Sequence, residues 1–517
     1  MTEYVSGPDL FDLLASSDRE LAVLDVRTPL ERSKTHIAVS ASLPFHDLEQ
    51  RIATVVPHVH TSVVLAGRPD VDGAAAEVLK SLGYRDVRVL EDGIEGWAQA
   101  GGRLYTGTNV RSKTLGEWIE HKFHTPTVDS ATVADWIEQG EDVVILDSRP
   151  TAEFAHHHIP GGHNTGGGAE IAYRAAGVIA TADTKVVINC AGRTRGIVGA
   201  QSLINTGITN QIFSLYNGTP AWEQSGRPLA FGLQNDLRAP TSISTELAEW
   251  VRTTFDRAQV QILDPAAVQN RLTDTSTTTY VFDVRTPEEF AAGHFDVSVS
   301  APGGQLVQQV DNFVAVRGAH IVLVDNGDFV RAASTVQWLR YLHTGPVTVV
   351  AYEPNSALTR PHRALEVPDA RYVSWAQFEL WRAGDTELRV IDLRSSADYA
   401  AGHIPGSVHA RREHLVQEAE KAPNAILVLV GNASYKPEFV ASAVPAEVAV
   451  LDGGIDAAAD VLTDEDPHYA GAIADRTGPP PFGPERDRWY AAYFEWELAL
   501  LENTDGDPHF DFEKAAS

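Results

Sequence analysis

Short apolar runs recur along the chain and are separated by longer amphipathic stretches. The clearest runs are "SVVLA" from Ser62, "KVVINC" from Lys185, "HIVLVD" from His320 and "AILVLVG" from Ala425. Apolar runs of this length, rich in β-branched residues and bounded by turn residues, predict buried strands. Because these strands alternate with segments of helix length, the pattern predicts an α/β fold with mostly parallel sheets flanked by helices.

The pattern repeats four times. Each copy contains a short apolar strand that ends in Asp-x-Arg, followed by a short acidic-aromatic helix. The four pairs are Asp25/Arg27, Asp147/Arg149, Asp283/Arg285 and Asp392/Arg394. Self-similarity at this level predicts tandem domains of one fold. The chain length also favours several domains over one core, since single cores rarely exceed about 250–300 residues.

We assign the repeats to four domains, with a connector and a helix after the last. Copy one is residues 1–105, copy two is 125–232, copy three is 258–353 and copy four is 367–466. Residues 467–517 begin with the Pro-rich stretch "DRTGPPPFGPERDRW", which predicts an extended connector. The following "YAAYFEWELALLEN" predicts an amphipathic helix that packs back on a domain.

Charge and composition limit the function classes. The net charge of −29 argues against a general binder of nucleic acid or of anionic membranes. The N-terminus lacks a signal-peptide pattern, and the single cysteine cannot form an internal disulfide, so we expect a cytoplasmic protein. The sequence leaves self-association into a homo-oligomer open.

The single cysteine stands in "VVINCAGRTRG", directly after a predicted strand and before a predicted helix that opens at Gly196. A loop at a helix N-terminus directs several backbone N–H groups and the helix dipole to one point, which lowers a thiol pKa and binds an anion. Arg193 and Arg195 add permanent positive charge. We therefore expect a Cys190 thiolate that faces an anionic substrate.

Simpler interpretations compete with this one. A cysteine is often a small buried hydrophobe, and either loop arginine could be a solvated surface charge. We assign the Asp-x-Arg pairs to structure, because they recur in copies without cysteine. The histidines at 156–158 suggest a turn contact, and "GGGAE" from Gly166 lacks the ending of a phosphate loop. We expect no metal site.

The combined motifs resemble those of rhodanese-type sulfurtransferase domains. The resemblance rests on the Asp-x-Arg strand end, the turns "HHIPG" (157–161) and "GHIPG" (402–406), the strand-Cys-loop-helix, and "NGTPAW" (217–222). It implies four tandem rhodanese-like α/β domains and a catalytic Cys190 that carries a persulfide, with no cofactor. The substrate-binding loop would consist of Ala191, Gly192, Arg193, Thr194 and Arg195. At the matching position the other copies have Ala66, Asp325 and Gly431, which implies that they are inactive.

The resemblance implies a thiosulfate-like small-molecule sulfur donor and a thiol or cyanide acceptor. One alternative is a non-catalytic interaction or regulatory protein, which three copies without cysteine would favour. A cysteine phosphatase is disfavoured, because the spacing here is Cys-x4-Arg and phosphatases resembling this fold use Cys-x5-Arg, a loop one residue longer.

Overall fold

The computed structural model describes residues 3–16, 20–359 and 365–516. Four sheets are formed, one in each copy, and their paired strands run parallel. Numbered within a copy, the strands lie in the order first, fifth, fourth, second, third, and copy four adds a sixth strand at the edge. The α/β prediction with mostly parallel sheets is confirmed.

Copies one and two have the same succession of elements. Copy one contains β1 (Glu3–Val5), α1 (Gly7–Ala15), β2 (Leu21–Asp25), α2 (Pro29–Lys34), β3 (Ala41–Ser42), α3 (Leu48–Val55), β4 (Ser62–Leu65), α4 (Pro69–Ser81), β5 (Val87–Leu90) and α5 (Gly93–Gln99). The linker helix α6 (Val110–Phe123) follows. Copy two contains β6 (Thr127–Val128), α7 (Ser130–Glu138), β7 (Val143–Asp147), α8 (Thr151–His156), β8 (His163–Asn164), α9 (Ile171–Arg174), β9 (Lys185–Asn189), α10 (Thr194–Asn205), β10 (Ile212–Leu215) and α11 (Gly218–Gln224).

The second half of the chain continues this pattern after α12 (Thr245–Ala258). Copy three contains β11 (Gln261–Leu263), α13 (Pro265–Thr273), β12 (Thr279–Asp283), α14 (Pro287–Ala292), β13 (Val299–Ser300), α15 (Gly303–Gln308), α16 (Val310–Phe313), β14 (His320–Asp325), α17 (Val330–Leu342) and β15 (Val347–Ala351). Copy four contains β16 (Tyr372–Val373), α18 (Trp375–Ala383), β17 (Leu388–Asp392), α19 (Ser396–Ala401), β18 (Val408–His409), α20 (Leu415–Lys421), β19 (Ile426–Val430), α21 (Glu438–Ala441), β20 (Val448–Leu451) and β21 (His468–Tyr469).

The C-terminal segment contains α22 (Pro484–Leu498), α23 (Leu500–Thr504) and α24 (Phe512–Ala516). Short 3-10 helices cover Phe45–Asp47, Gly168–Glu170, Ala175–Gly177, Arg412–His414, Gly454–Val461 and Pro508–Phe510. Within the described ranges, no helix is both long and apolar enough to cross a membrane.

The central strand of copy two shows why its sequence is apolar throughout. Side chains alternate between the two faces of a strand, and helices cover both faces of this sheet. Val186 and Ile188 pack into one cluster with Leu203 of α10, whereas Val187 packs into the opposite cluster with Trp222 of α11. Two apolar cores, one on each face of the sheet, therefore fix the position and direction of β9.

The Asp-x-Arg pairs form buried ion pairs in all four copies. In copy two, Arg149 Nη2 lies 2.7 Å from Asp147 Oδ2, and both side chains are 1% exposed. Arg149 also donates to the carbonyl of His157, and the same eight-residue link recurs at Thr35, Gly293 and Gly402. Because the arrangement does not depend on the cysteine, it supports the structural interpretation.

The chain divides into two compact units. Unit 1 contains residues 1–108 and 362–478, so it combines copies one and four. Inside it, Gln50 exchanges hydrogen bonds with the backbone of Lys436, and the Arg412 side chain pairs with Glu49. In unit 1, therefore, the loop after β19 of copy four contacts helix α3 of copy one.

Unit 2 contains residues 109–361 and 479–517, and thus copies two and three, the linker helices and the C-terminal segment. Its two copies meet backbone to backbone: a Cβ added at Gly304 would lie 2.8 Å from the amide nitrogen of Gly168. Arg331, in the first turn of α17 directly after the loop of copy three that corresponds to the cysteine loop, pairs with Glu170 of copy two. The end of this loop therefore contacts the neighbouring copy, as the corresponding loop does in unit 1.

Candidate active site

Cys190 lies directly after β9, at the carboxyl end of the sheet, and is 2% exposed. The Gly192 amide nitrogen is 3.3 Å from Sγ. Helix α10 begins at Thr194, two residues earlier than the sequence predicted. The loop is thus shorter than expected, and the first turn of α10 lies beside the thiol.

The closing turn of copy two holds the loop in place. Gly218 has φ +58, and a Cβ at this position would lie 2.2 Å from the Cys190 carbonyl oxygen and 2.7 Å from that of Gly192. The Thr219 amide donates to the same Cys190 carbonyl at 2.8 Å. The turn "NGTPAW" therefore needs glycine at 218, both for its backbone conformation and for its close approach to the loop.

The direction of the Cys190 pKa shift differs from the prediction. Burial raises the pKa of Cys190, while Arg195 and the amides of Gly192 and Gly196 act in the opposite direction. Glu497 contributes to the rise. The predicted lowering of the thiol pKa is therefore wrong, because the loop is enclosed more completely than a surface loop at a helix end.

Arg195 lies where its charge acts on the sulfur. Both of its terminal nitrogens donate to the carboxylate of Glu153 at 2.8 Å. In two copies without cysteine, the glutamate at the position that matches Glu153 also pairs with an arginine, Glu31 with Arg68 and Glu289 with Arg331. The pair is thus a recurrent feature of the fold that in copy two lies beside a thiol.

Arg193 forms ion pairs with glutamates of the linker helix. It forms a two-point ion pair with Glu117 of the linker helix, at 2.8 and 2.9 Å, and also pairs with Glu120. Its guanidinium lies 4.9 Å from the ring centre of Tyr216. Arg193 is 3% exposed. The structure therefore places this predicted substrate-binding side chain in the contact between the loop and the linker helix.

The remaining loop residues have distinct surroundings. Ala191 is half-buried and Gly192 is buried. The Thr194 hydroxyl donates to Glu497 Oε1 at 2.7 Å. A Cβ at Gly116 would lie 2.9 Å from Thr194 Cγ2, so this glycine allows the linker helix to pack directly on the loop. Two helices from outside the repeat, α6 and α22, therefore contact the loop and hold it in place.

Three residues that the sequence did not single out complete the site. A Cβ at Gly192 would lie 3.3 Å from Cε1 of the Tyr493 ring, on α22. Lys113 Nζ, on α6, lies 4.8 Å from the ring centres of both Tyr493 and Trp496. Burial lowers the pKa of Lys113 to about 8, although Glu497 opposes this shift. The amphipathic pattern of α22 predicted that it packs on a domain, but not on which one.

The histidines at 156–158 make packing contacts within unit 2. His158 stacks on Phe154 with ring centres 3.9 Å apart, and His157 Nε2 lies 3.3 Å from Arg486 Nη2. Burial and two nearby arginines lower the pKa of His157 to about 3. No group of three or more metal-ligand side chains occurs in the described ranges of the chain.

A parallel sheet with a cysteine loop between its fourth strand and the following helix defines copy two as a rhodanese-like domain. The sequence matches the rhodanese-like domain family over residues 9–100, 129–225 and 376–460. The chain belongs to the rhodanese family. Copy three, which lies between the last two matched ranges, has the same strand order.

Two relatives carry the same activity in their names. A crystal structure of a thiosulfate sulfurtransferase from Pseudomonas aeruginosa is 35% identical, with a TM-score of 0.89 and coverage of 98% of this chain and 99% of that chain. The thiosulfate sulfurtransferase PspE of Escherichia coli (strain K12) is 34% identical over 67 residues, which is 12% of this chain. This match spans 62% of the length of PspE.

Proposed function

We propose that the protein is a sulfurtransferase that moves a sulfane sulfur from a thiosulfate-like donor to a thiophilic acceptor through a Cys190 persulfide. The observation that carries this proposal is the position of the single thiol: it follows β9, with the Gly192 amide at 3.3 Å and the charge of Arg195 nearby. The names of both relatives support thiosulfate as the donor.

The first half-reaction loads the sulfur. The Cys190 thiolate attacks the outer sulfur of thiosulfate, the sulfur–sulfur bond of the donor breaks, and sulfite leaves with the electron pair. The enzyme then carries a Cys190 persulfide anion, and the total charge is unchanged. Backbone amides at the loop stabilise the terminal anion, because N–H donors that are already oriented need no rearrangement when the charge moves.

The second half-reaction discharges the sulfur. Cyanide takes the terminal sulfur as thiocyanate, or a thiolate takes it as a persulfide, and the Cys190 thiolate is regenerated. A second cysteine could have resolved the persulfide as an internal disulfide, but this chain has none. The loaded form should therefore persist until an external acceptor arrives.

Intact-mass spectrometry tests this function. We expect the full-length protein, after exposure to thiosulfate and removal of small molecules, to be heavier by one sulfur atom, and we expect cyanide to reverse the change. The Cys190→Ser variant is the control, because its hydroxyl is similar in size but does not ionise near neutral pH. An unchanged wild-type mass with thiosulfate, mercaptopyruvate and glutathione persulfide would contradict the proposal and favour a binding role.

A further inference from the structure

Lys113 carries a buried positive charge that no carboxylate of the fold pairs with directly. The residue belongs to the linker helix α6 and is 7% exposed. Within residues 3–16, 20–359 and 365–516, its ammonium has neither an ion-pair partner nor a hydrogen-bond partner. A buried lysine is normally paired, because a charge that is removed from water without a partner is costly. The position of this ammonium therefore requires an explanation.

Two aromatic rings of α22 stabilise this charge without cancelling it. Lys113 Nζ lies 4.8 Å from the ring centres of both Tyr493 and Trp496. A ring face attracts a cation through its quadrupole, but the ring itself carries no net charge. A carboxylate in contact with the ammonium would instead have made a neutral pair. The two rings therefore hold the ammonium in a buried place and leave its positive charge available to another group.

Lys113 lies on the face of α6 that contacts the cysteine loop. Residues three and four positions later on a helix share a face with the first. At these two positions, a Cβ added to Gly116 would lie 2.9 Å from Thr194 Cγ2, and Glu117 pairs with Arg193. The side of α6 that carries Lys113 is thus the side that packs on the loop.

The aromatic contact connects the ammonium to the thiol. The Tyr493 ring that Lys113 contacts also packs on Gly192, where an added Cβ would lie 3.3 Å from Cε1. The Gly192 amide nitrogen is in turn 3.3 Å from Cys190 Sγ. Burial lowers the pKa of Lys113 to about 8, and the charges of Glu497 and Cys190 oppose this shift. The ammonium is therefore mostly protonated at about pH 7 and interacts electrostatically with the reactive sulfur.

The other cationic side chains around the site already have carboxylate partners. The pairs are Arg149/Asp147, Arg193/Glu117, Arg195/Glu153 and Arg486/Glu223. Glu497 acts on Lys113 electrostatically but forms no ion pair with it. In the part of the chain that the structure describes, Lys113 is therefore the cation of this site that an incoming anion can bind without displacing a carboxylate.

We propose that Lys113 binds the sulfonate oxygens of an anionic sulfur donor and directs its outer sulfur toward Cys190. An ammonium presents three donors to oxyanion oxygens, and charge-assisted hydrogen bonds of this kind are the strong ones. The residue lies outside both the loop and the repeat, so the linker helix supplies a donor-binding group that copy two alone lacks. The identity of the donor rests on the proposed function, whereas the anion site does not.

Protection of Cys190 by an unreactive anion tests the assignment. Sulfate is a dianion like thiosulfate, but it has no outer sulfur to transfer. In the full chain, at constant ionic strength, we expect sulfate to slow the alkylation of Cys190 by iodoacetamide, an uncharged reagent, in a saturable manner. Lys113→Met keeps a long side chain and removes the charge, so the sulfate concentration for half-protection should rise about tenfold or more. Absence of protection in the wild-type protein, or equal half-protection in the two proteins, would overturn the proposal.

Two further variants separate charge from packing. Lys122→Met is the matched control: this lysine of the same helix lies 6.0 Å from the Trp118 ring centre, but it is exposed and pairs with Glu513 at 2.7 Å. It should leave protection unchanged. Lys113→Arg keeps both the charge and the capacity to lie on the rings, so its half-protection should stay much closer to wild type than that of Lys113→Met. Equal loss in both variants at position 113 would show that the side chain only packs there.

Thiosulfate loading distinguishes this proposal from the proposed function. We expect Lys113→Met to raise the thiosulfate concentration for half-maximal loading about tenfold and to change the maximal loading rate much less, because the lost contact serves binding. A wild-type protein that sulfate protects in a Lys113-dependent manner, but that never gains sulfur, would overturn the proposed function and leave the anion site intact. Sulfur loading with the same half-saturating concentration in both proteins would overturn the anion site and leave the function.

Discussion

At the residue scale, Arg193 and Arg195 show how neighbouring identical side chains acquire different tasks. Arg193 pairs with Glu117, and the two side chains are 3% and 6% exposed. Arg195 pairs with Glu153, which is 42% exposed, and its charge also acts on the Cys190 sulfur. From the sequence alone, both arginines are predicted to bind the anionic substrate. Only Arg195 has a partner that a donor could replace at low cost.

A matched pair of variants separates these tasks. We expect Arg195→Ala to retain nearly wild-type stability, since a partly exposed ion pair contributes at most about 1 kcal/mol. Its sulfur-loading rate should fall more than about tenfold, because a positive charge that favours the thiolate and binds the donor is lost. Loading followed by intact-mass spectrometry, with urea unfolding of the same samples, gives both quantities.

The comparison variant, Arg193→Ala, should show the reverse balance. It leaves Glu117 buried without its guanidinium partner, which costs about 3 kcal/mol of unfolding free energy for a pair of this kind. Burial already raises the pKa of Glu117 to about 7, and Arg193 opposes that rise. Equal stability of the two variants would mean that Arg193 is not a structural link between the loop and the linker helix.

At the element scale, the sequence predicts what local patterns encode. Strand positions, the four repeats and the cysteine loop follow from apolar runs and turn residues, and all of these are present. The contribution of α6 and α22 to the site could not be predicted in this way. Thr194 and Glu497 are 303 residues apart, and no local pattern records their contact. The same distant helices enclose Cys190, which explains why the local pattern predicts the wrong direction for the thiol pKa.

The closing turn of copy two offers a prediction at this scale. Gly218→Ala should reduce sulfur loading strongly, since a Cβ there would lie 2.2 Å from the Cys190 carbonyl oxygen and must displace the loop. Gly226→Ala is the control: its φ is +78, but nothing lies within 4 Å of the added carbon. The control should lose only the conformational cost of about 1 kcal/mol. Similar activity of both variants would show that the loop adapts to the added methyl group.

At the whole-molecule scale, the copies associate out of chain order. Copies one and four form one unit, and copies two and three form the other together with the C-terminal segment. The three loops without cysteine keep the repeat's ion pairs or contact a neighbouring copy, as Arg331 does with Glu170. These contacts give the copies without cysteine a structural task that requires no sulfur chemistry, as packing partners of the copy that has it.

This organisation predicts that copy two is not self-sufficient. A fragment of residues 125–232 lacks Glu117, Glu120 and Glu497, so Arg193 would lose its buried ion pairs and Thr194 its acceptor. We expect the fragment to unfold at much lower urea concentration than the full chain and to load little sulfur. The comparison protein joins residues 109–359 to 479–517 through a flexible Gly/Ser linker, which restores all three glutamates. It should load sulfur at a rate close to that of the full chain, whereas a fully active fragment of copy two alone would show that the surrounding elements serve another purpose.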